Sequence, residues 1–173
     1  MKYNYDETLL SQQDLHERLV YDETTGILTW RVRPDNPQFN GRFAGKPAGA
    51  KLNDGYLQVQ VNLVFVRAHR AIWMMKTGVW PVDLVDHIDG DKTNNRWANL
   101  RAATCLQNAA NRGTGKSNTS GHKGVYWAKK SKAWRVELQY NYKVHRIGTF
   151  KDFDEAVAAY KVAEKEIRKE WTR

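Results

Sequence analysis

Residues 84–111 constrain the fold of this chain more than any other segment. An apolar run ends at Asp86-His87, a polar loop follows, a second short run extends from Asn99 to Ala103, and a helical pattern begins after Thr104. Both runs have the length and composition of short strands, and threonine is a preferred helix N-cap. The order predicts two strands that are joined by a loop and followed by a helix.

The same segment spaces four polar side chains in a way that suits phosphodiester hydrolysis. Asp86 precedes His87 directly, and asparagines follow 12 and 21 positions after the histidine, at Asn99 and Asn108. Imidazole can remove a proton from water near neutral pH, while carboxylate and amide oxygens bind hard divalent cations. We expect His87 to activate water and Asp86 with Asn108 to hold a cation. Because successive strand residues point to opposite faces, Asp86 and His87 share a site only near a strand end.

The loop itself contains acidic residues that have a simpler interpretation. Asp89-Gly90-Asp91 and Asn94-Asn95 are typical of a turn, and their spacing does not match the calcium loop of an EF-hand. We therefore assign Asp89 and Asp91 to the structure of the loop and not to the metal.

The net charge of +9 lies mostly in the second half of the chain. Residues 83–173 contain 18 Lys and Arg against 11 Asp and Glu, a net charge of +7. Basic residues interleaved with Trp and Tyr indicate a polyanionic partner, since cations neutralise phosphates and flat rings pack on sugars or bases. The alternative is a basic surface that only keeps the protein soluble.

Cysteine content and hydropathy restrict the class of protein further. Cys105 is the only cysteine, which excludes disulfides within the chain and a four-cysteine zinc site. The N-terminus has no apolar signal segment, and no apolar run approaches the length of a membrane span. The sequence therefore predicts a cytoplasmic protein without structural zinc and without a membrane partner.

Local patterns predict the elements on either side of the central segment. The N-terminal half is expected to contain helices at Ser11–Leu19 and Ala68–Lys76, a hairpin within Tyr21–Arg33, a loop through Gly55, and paired strands at Tyr56–Leu63 and Phe65–Arg67. His69 opens the second helix, and we leave it out of the catalytic set because a lone helical histidine is more often packed or solvated.

The glycine-rich stretch 112–121 contains no apolar residue and predicts a flexible linker whose Arg112 and Lys116 follow the phosphate backbone. After it, strands are expected at Lys123–Ala128, Ala133–Tyr140 and Lys143–Phe150, followed by a helix at Asp152–Lys169 that covers one face of their sheet. The expected domains are 1–111, 112–121 and 122–173.

The central segment resembles the ββα-metal (HNH) nuclease motif in the form found in phage and intron-encoded homing endonucleases, where asparagine replaces the last histidine. The resemblance implies that His87 is the general base, that Asp86 and Asn108 are metal ligands, and that Asn99 pins the loop and orients the histidine. It also implies Mg²⁺, with Mn²⁺ as the alternative, a 5′-phosphate product, and action inside a phage-infected bacterial host. The lead-in His69-Arg70, then Trp80-Pro81, is similar to that of such phage proteins.

The C-terminal part resembles the ethylene-response-factor (apetala-type) DNA-binding domain. Four blocks carry the resemblance in order: 121–127, 134–138, 145–150 and 154–160. In that family the exposed face of the sheet lies in the major groove. Tyr126, Trp127 and Trp134 are as consistent with a core role as with a DNA contact. With the two linker residues, the expected DNA contacts are Lys123, Tyr126, Trp127, Lys129, Lys130, Lys132, Trp134, Arg135 and Arg146.

Together these features predict an α+β protein. N-terminal hairpins and a helix lead into the ββα-metal motif, and a linker joins it to a three-stranded antiparallel sheet that packs on one helix. The expected function is a monomeric, metal-dependent endonuclease that nicks double-stranded DNA. The alternatives are a DNA-binding regulator with a degenerate HNH scaffold and, third, a nuclease directed at RNA.

Overall fold

The computed structural model describes residues 4–111, 113–115 and 118–168, and its fold is α+β, as the sequence predicts. The chain forms two compact units, Met1–Ala103 and Thr104–Arg173, each with its own apolar core. The boundary between these units falls before the helix that follows Thr104. The expected domain limits at residues 111 and 122 stay a prediction.

The first unit begins with a helix and a hairpin that follow from local signals. Helix α1 (Gln12–Arg18) starts after Ser11, whose hydroxyl accepts from the Asp14 N–H at 3.1 Å while the Asp14 carboxylate accepts from the Ser11 N–H at 2.9 Å. This capping box satisfies two backbone donors that the helix leaves open. Strands β1 (Leu19–Asp22) and β2 (Ile27–Trp30) then pair antiparallel. Both elements are confirmed.

The stretch after this hairpin was expected to be a loop, and that prediction is wrong in part. Helix α2 (Pro37–Phe43) begins after Asn36, whose side chain accepts from the Phe39 N–H at 2.9 Å. Proline suits the first turn because it lacks an N–H and its φ angle is already helical. The rings of Phe39 and Phe43, one turn apart, also pack at 5.1 Å. Asn-Pro therefore starts a helix here.

A three-stranded antiparallel sheet and a helix complete this part of the first unit. The sheet has the order β3 (Ala50–Lys51), β4 (Leu57–Val61), β5 (Val64–Arg67). Helix α3 (Ala68–Thr77) follows directly and ends at Gly78, whose φ of +76° is the left-handed conformation common after helices. The predicted strand pair and helix are confirmed.

The central segment contributes side chains to the apolar core of the first unit. Strands β6 (Leu84–His87) and β7 (Leu100–Ala103) pair antiparallel, and the loop between them ends in a short 3₁₀ turn at Trp97–Asn99. Val85 and Leu100 belong to the core of the first unit. The largest fully buried apolar side chains of this core are Leu15, Leu19, Val59, Val61, Val66 and Ile72.

The second unit contains helix α4 (Cys105–Asn111), strands β8 (Val125–Ala128), β9 (Ala133–Tyr140) and β10 (Lys143–Phe150), and helix α5 (Phe153–Arg168). The sheet is antiparallel with the order β10-β9-β8, and α5 packs on it. These elements match the prediction within two residues at each described end. Among the described residues, no helix combines the length and apolar character that a membrane span requires.

The side chains of strand β9 point alternately to the two faces of the C-terminal sheet. Val136 and Leu138 are fully buried and belong to the same core cluster as Ala156 of α5. Arg135 is exposed on the opposite face of the sheet. Helix α5 therefore covers one face of the sheet, as the sequence predicts, and leaves Arg135 exposed on the other.

Candidate active site

Asp86 and His87 lie at the end of β6. The register pairs Asp86 with Arg101 and His87 with Leu100 on β7. Both side chains are buried, with residue exposures of 5% and 3%. His87 is the last residue of the strand, where the chain turns into the loop. The pair therefore lies at a strand end, the position that a shared site requires.

His87 has a defined hydrogen-bond partner, Asn95. The distance between His87 Nε2 and Asn95 Oδ1 is 2.8 Å, and Asn95 is only 1% exposed. Because an amide oxygen can only accept, this contact requires the imidazole proton on Nε2. The basic lone pair of the neutral ring is then on Nδ1. The local sequence places Asn95 in a turn, and that pattern gives no sign that its side chain reaches His87.

The β1–β2 hairpin supports the backbone around Asn95. The Tyr21 hydroxyl donates to the Asn95 carbonyl at 2.9 Å, and Arg96 Nε donates to the Thr24 carbonyl at 2.8 Å. Gly26, in the turn of the hairpin at φ +76°, lies so close that a Cβ atom there would be 2.5 Å from Arg96 N. An element more than 60 residues away in sequence thus holds the partner of His87 in place.

Two further rings pack against His87. The His69 ring lies 5.1 Å from the His87 ring at an interplanar angle of 70°, and Tyr56 is 5.1 Å from His69 and 5.9 Å from His87. Burial, with smaller contributions from His87, Arg70 and Arg67, lowers the pKa of His69 to about 3. His69 is therefore a packed, neutral histidine, one of the two states expected for it.

Asp86 is paired with Arg101 across the two strands. Arg101 Nε and Nη2 both donate to Asp86 Oδ2 at 3.0 Å, and the side chains are 16% and 6% exposed. A buried carboxylate is a suitable oxygen ligand for a hard cation, which would share this group with the guanidinium. The donor type therefore fits a divalent ion. The described residues contain no cluster of three or more His, Cys, Asp or Glu side chains that could hold one.

Asn99 ties the loop together. Its Nδ2 donates to Asp89 Oδ1 at 2.9 Å and to the Asn94 carbonyl at 2.8 Å, and its Oδ1 accepts from the Asp89 N–H at 3.1 Å. Burial raises the pKa of Asp89, but hydrogen bonds from Asn94, Asn99 and the Asp91 N–H together outweigh it and lower that pKa. Asn99 thus contacts the loop as expected, while the hydrogen bond of His87 Nε2 is accepted by the Asn95 side chain.

Asn108, the expected second metal ligand, lies on α4 in the second unit. It is half-buried, and its backbone N–H donates to the Thr104 carbonyl at 2.9 Å. Thr104 caps the helix as predicted, because its hydroxyl accepts from the Gln107 N–H at 3.3 Å. The role of Asn108 as a ligand stays a prediction.

The described residues among the expected DNA contacts differ in their surroundings. Tyr126 and Arg135 are neighbours on the exposed face of the sheet, and the side chain of Arg146 on the same face is 85% exposed. In contrast, the Trp134 ring packs on Phe153 at 4.7 Å.

The remaining expected contacts differ in how accessible they are. The turn between β8 and β9 exposes Lys129, Lys130 and Lys132, and Trp127 is 46% exposed. Lys123 Nζ donates to the Ala110 carbonyl at 2.6 Å at the end of α4. Arg112 and Lys116 lie outside the described residues.

Comparisons with known proteins support the interpretation of the central segment as an HNH motif. The family model described as HNH endonuclease matches residues 66–110, which include His69, Asp86, His87, Asn95, Asn99 and Asn108. No solved structure matches the chain. Protein 3.8 of Escherichia phage T7 is 35% identical over 108 residues, which cover 62% of this chain and 88% of that protein.

The HNH match supports nuclease activity on DNA, and nucleases of this class generally use a divalent metal ion. The match ends at residue 110, before the sheet of the second unit. The chain belongs to the same family as Protein 3.8 of Escherichia phage T7 and carries an HNH endonuclease domain at residues 66–110.

Proposed function

We propose that this protein is a metal-dependent HNH endonuclease that cuts DNA with His87 as its general base. The observation that carries the proposal is the hydrogen bond between His87 Nε2 and Asn95 Oδ1, beside Asp86 and inside the matched range. A DNA-binding regulator has no need for a histidine whose tautomer is set in this way. The hydrogen bond therefore favours the enzyme over the regulator.

In the proposed reaction, the Nδ1 lone pair of His87 accepts a proton from water as the water oxygen attacks phosphorus. The new bond joins oxygen to phosphorus, and the bond between phosphorus and the 3′ oxygen breaks. Solvent protonates the departing oxygen, so that the products carry a 5′ phosphate and a 3′ hydroxyl. Asn95 holds the imidazole proton on Nε2 and thereby keeps the base on the reactive nitrogen.

Asp86 and Asn108 are the residues proposed to hold the cation, with Mg²⁺ as the first candidate and Mn²⁺ as the alternative. When bound, the ion would neutralise charge on the phosphate and on the departing oxygen. Arg101 orients the Asp86 carboxylate through Oδ2. Asn99 keeps the intervening loop in one conformation through its contacts with Asp89 and Asn94.

The exposed face of the C-terminal sheet is proposed to position the enzyme on duplex DNA. Tyr126, Arg135 and Arg146 lie on this face, and the β8–β9 turn adds Lys129, Lys130 and Lys132. Cations along an exposed strand can neutralise phosphates while flat side chains contact sugars or bases. The apetala-type resemblance and the basic charge of the second half support this role.

Several finer features of the proposal follow from the HNH resemblance. A single active site in a monomer would nick one strand, as in the homing-endonuclease form of the motif. The proposed setting is the cytoplasm of a phage-infected bacterium, and a phage relative supports it.

A plasmid-nicking assay tests the proposed function. The wild type should convert supercoiled plasmid to open circles with Mg²⁺ but not with EDTA, and it should leave a matched RNA duplex intact. His87→Ala should bind the plasmid without nicking it. DNA binding by a folded wild type without metal-dependent cleavage would establish the regulator instead, and preferential cleavage of RNA would change the substrate class.

A further inference from the structure

The first unit contains a cavity whose lining includes neither His87 nor Asp86. Its volume is about 380 Å³. The residues that line it are the aromatic Trp30, Phe39 and Phe43, together with Arg33, Gln60, Asn62 and Leu63. Helix α2 builds the aromatic wall, because Phe39 and Phe43 are one turn apart and Trp30 meets Phe39 edge-on at 5.6 Å. Neither the HNH match nor the proposed mechanism assigns a role to this cavity.

Arg33 extends into this cavity from a fixed backbone. Its N–H donates to Asn40 Oδ1 at 2.8 Å, and its carbonyl accepts from Asn40 Nδ2 at 2.7 Å. Its guanidinium carbon lies 3.6 Å from the centre of the Phe39 ring and 5.6 Å from that of Trp30. One asparagine and two rings thus hold the cation at the aromatic wall.

The Arg33 guanidinium lacks a counter-charge. Within the described part of the chain, no carboxylate forms an ion pair with Arg33, and its Nε is buried without a hydrogen-bond partner. Burial and the nearby positive charge of Arg18 both lower the pKa of Arg33. The Arg18 Nε is also buried without a partner. Because no described carboxylate neutralises the Arg33 guanidinium, an anion in the cavity would supply its missing counter-charge.

The wall and the cation together define the chemistry of the ligand. Aromatic rings stack on nucleobases irrespective of their sequence, a guanidinium binds phosphate through parallel N–H donors, and the Gln60 amide can both donate to and accept from a base edge. We propose that this cavity binds one nucleotide of a DNA strand, with the base against Phe43 and the phosphate against the Arg33 guanidinium, which itself packs on Phe39. The choice of DNA as the source of the nucleotide rests on the proposed endonuclease function.

Photocrosslinking of the full chain tests the location directly. Oligonucleotides that carry 5-iodo-2′-deoxyuridine are irradiated with the wild-type protein in EDTA, as single strands and as duplexes, and the crosslinked peptide is sequenced. The proposal expects a crosslink to Trp30, Phe39 or Phe43. Crosslinks that form only on the C-terminal sheet, with none between residues 30 and 43, would overturn it.

Binding by matched variants tests the contribution of Arg33. Arg33→Ala should weaken DNA binding by about 10- to 100-fold and reduce the slope of log affinity against log salt by about 1. Arg33→Lys should keep the slope but bind more weakly than the wild type, because an ammonium lacks the planar fork. Lys51→Ala, which removes the same charge from an exposed position, is the control. A folded Arg33→Ala that binds like this control would overturn the proposal.

Two further measurements keep the outcomes distinct. If Arg33→Ala does not fold, Phe43→Ala replaces it, since the Phe43 side chain is already 40% exposed.

Arg33-dependent binding of thymidine monophosphate without Arg33-dependent binding of DNA would assign the cavity to free nucleotides and overturn the proposal. Cavity crosslinks without Mg²⁺-dependent cleavage would sink the endonuclease function alone, whereas cleavage with an unchanged KM in Arg33→Ala would sink the cavity proposal alone.

Discussion

Asn95 sets the tautomer of His87 through a single hydrogen bond, which makes it a sensitive residue for testing the chemistry. Asn95→Ala removes the acceptor for the Nε2 proton, and we expect the cleavage rate to fall about 10- to 100-fold, as for comparable orienting partners of histidine. Asn95→Asp keeps an acceptor and should retain more activity. Single-turnover cleavage of a labelled duplex measures both rates.

The control for this pair is Asn53→Ala, which replaces an exposed asparagine of the same unit. Thermal unfolding of each variant separates loss of chemistry from loss of fold. A folded Asn95→Ala that cleaves at the wild-type rate would show that the hydrogen bond plays no part in catalysis.

His69 gives the first unit a specific dependence on pH. Its folded-state pKa of about 3 lies below the value of 6.5 in the unfolded chain, so the unfolded state binds the proton more readily. The stability that neutral His69 provides is therefore complete above pH 6.5 and is lost as the pH falls toward 3. Between pH 7.5 and 5 this group alone should lower the free energy of unfolding by about 2 kcal/mol.

Chemical denaturation at a series of pH values measures this effect. His69→Gln should flatten the dependence between pH 7.5 and 5, whereas His16→Gln, at an exposed position, should not. An unchanged slope in a folded His69→Gln would contradict the assignment of a buried, neutral ring.

The sequence indicated the residue types of the active site better than the contacts between them. The His87 and Asp86 pair followed from chemistry and spacing along the chain. Asn95 did not, because Asn94-Asn95 has the local pattern of a turn and only the folded loop brings its side chain to His87. His69 and Tyr56 were missed as neighbours for the same reason, since their contact with His87 depends on how α3 and the β4 sheet pack.

At the scale of elements, the β1–β2 hairpin supports the loop between β6 and β7, which contains Asn95. Gly26→Ala places a Cβ atom 2.5 Å from Arg96 N in a residue at φ +76°. The left-handed conformation alone should cost about 1–2 kcal/mol of unfolding free energy, and the contact should displace Asn95 and slow cleavage. Denaturation and cleavage rates measured on the same samples test both effects.

Gly41→Ala is the matched control, because nothing lies within 4 Å of a Cβ atom at Gly41 and the residue is within helix α2. Alanine should raise the stability of that helix by about 0.5–1 kcal/mol and leave cleavage unchanged. Equal behaviour of the two alanine variants would exclude the supporting role of the hairpin.

Elements with periodic apolar residues or a helix-capping residue were predictable from the sequence. Elements that depend on tertiary packing were not. Helix α1, strands β4 and β9 and helix α5 carry apolar spacing or capping residues that local physics can interpret. Helix α2 has only two turns, and the residues at its start, Asn36-Pro37, are also common in loops. Phe39 contacts the rings of Trp30 and Phe43, and the contact with Trp30 depends on tertiary structure that local patterns do not reveal.

At the scale of the whole molecule, the proposal assigns cutting to the HNH domain and positioning to the C-terminal sheet. Arg135→Ala removes a cation from the exposed face of that sheet. It should weaken duplex binding and lower the slope of log affinity against log salt by about 1, with no change in the cleavage rate of bound DNA. Fluorescence anisotropy across a salt series measures the slope.

Lys161→Ala is the control for this surface, since Lys161 is exposed on α5, away from the proposed DNA-binding face. Arg135→Ala and Lys161→Ala remove the same charge and differ only in position. Identical salt slopes would mean that net charge, and not the sheet face, carries DNA binding.

The most direct test of the central claim compares the wild type with His87→Ala under single-turnover conditions at saturating protein and Mg²⁺. DNA affinity is measured in the same samples with EDTA. We predict that His87→Ala binds the duplex with wild-type affinity and cleaves it about 10²- to 10⁴-fold more slowly. Equal cleavage rates, with the fold and DNA affinity intact, would contradict the assignment of His87 as the general base.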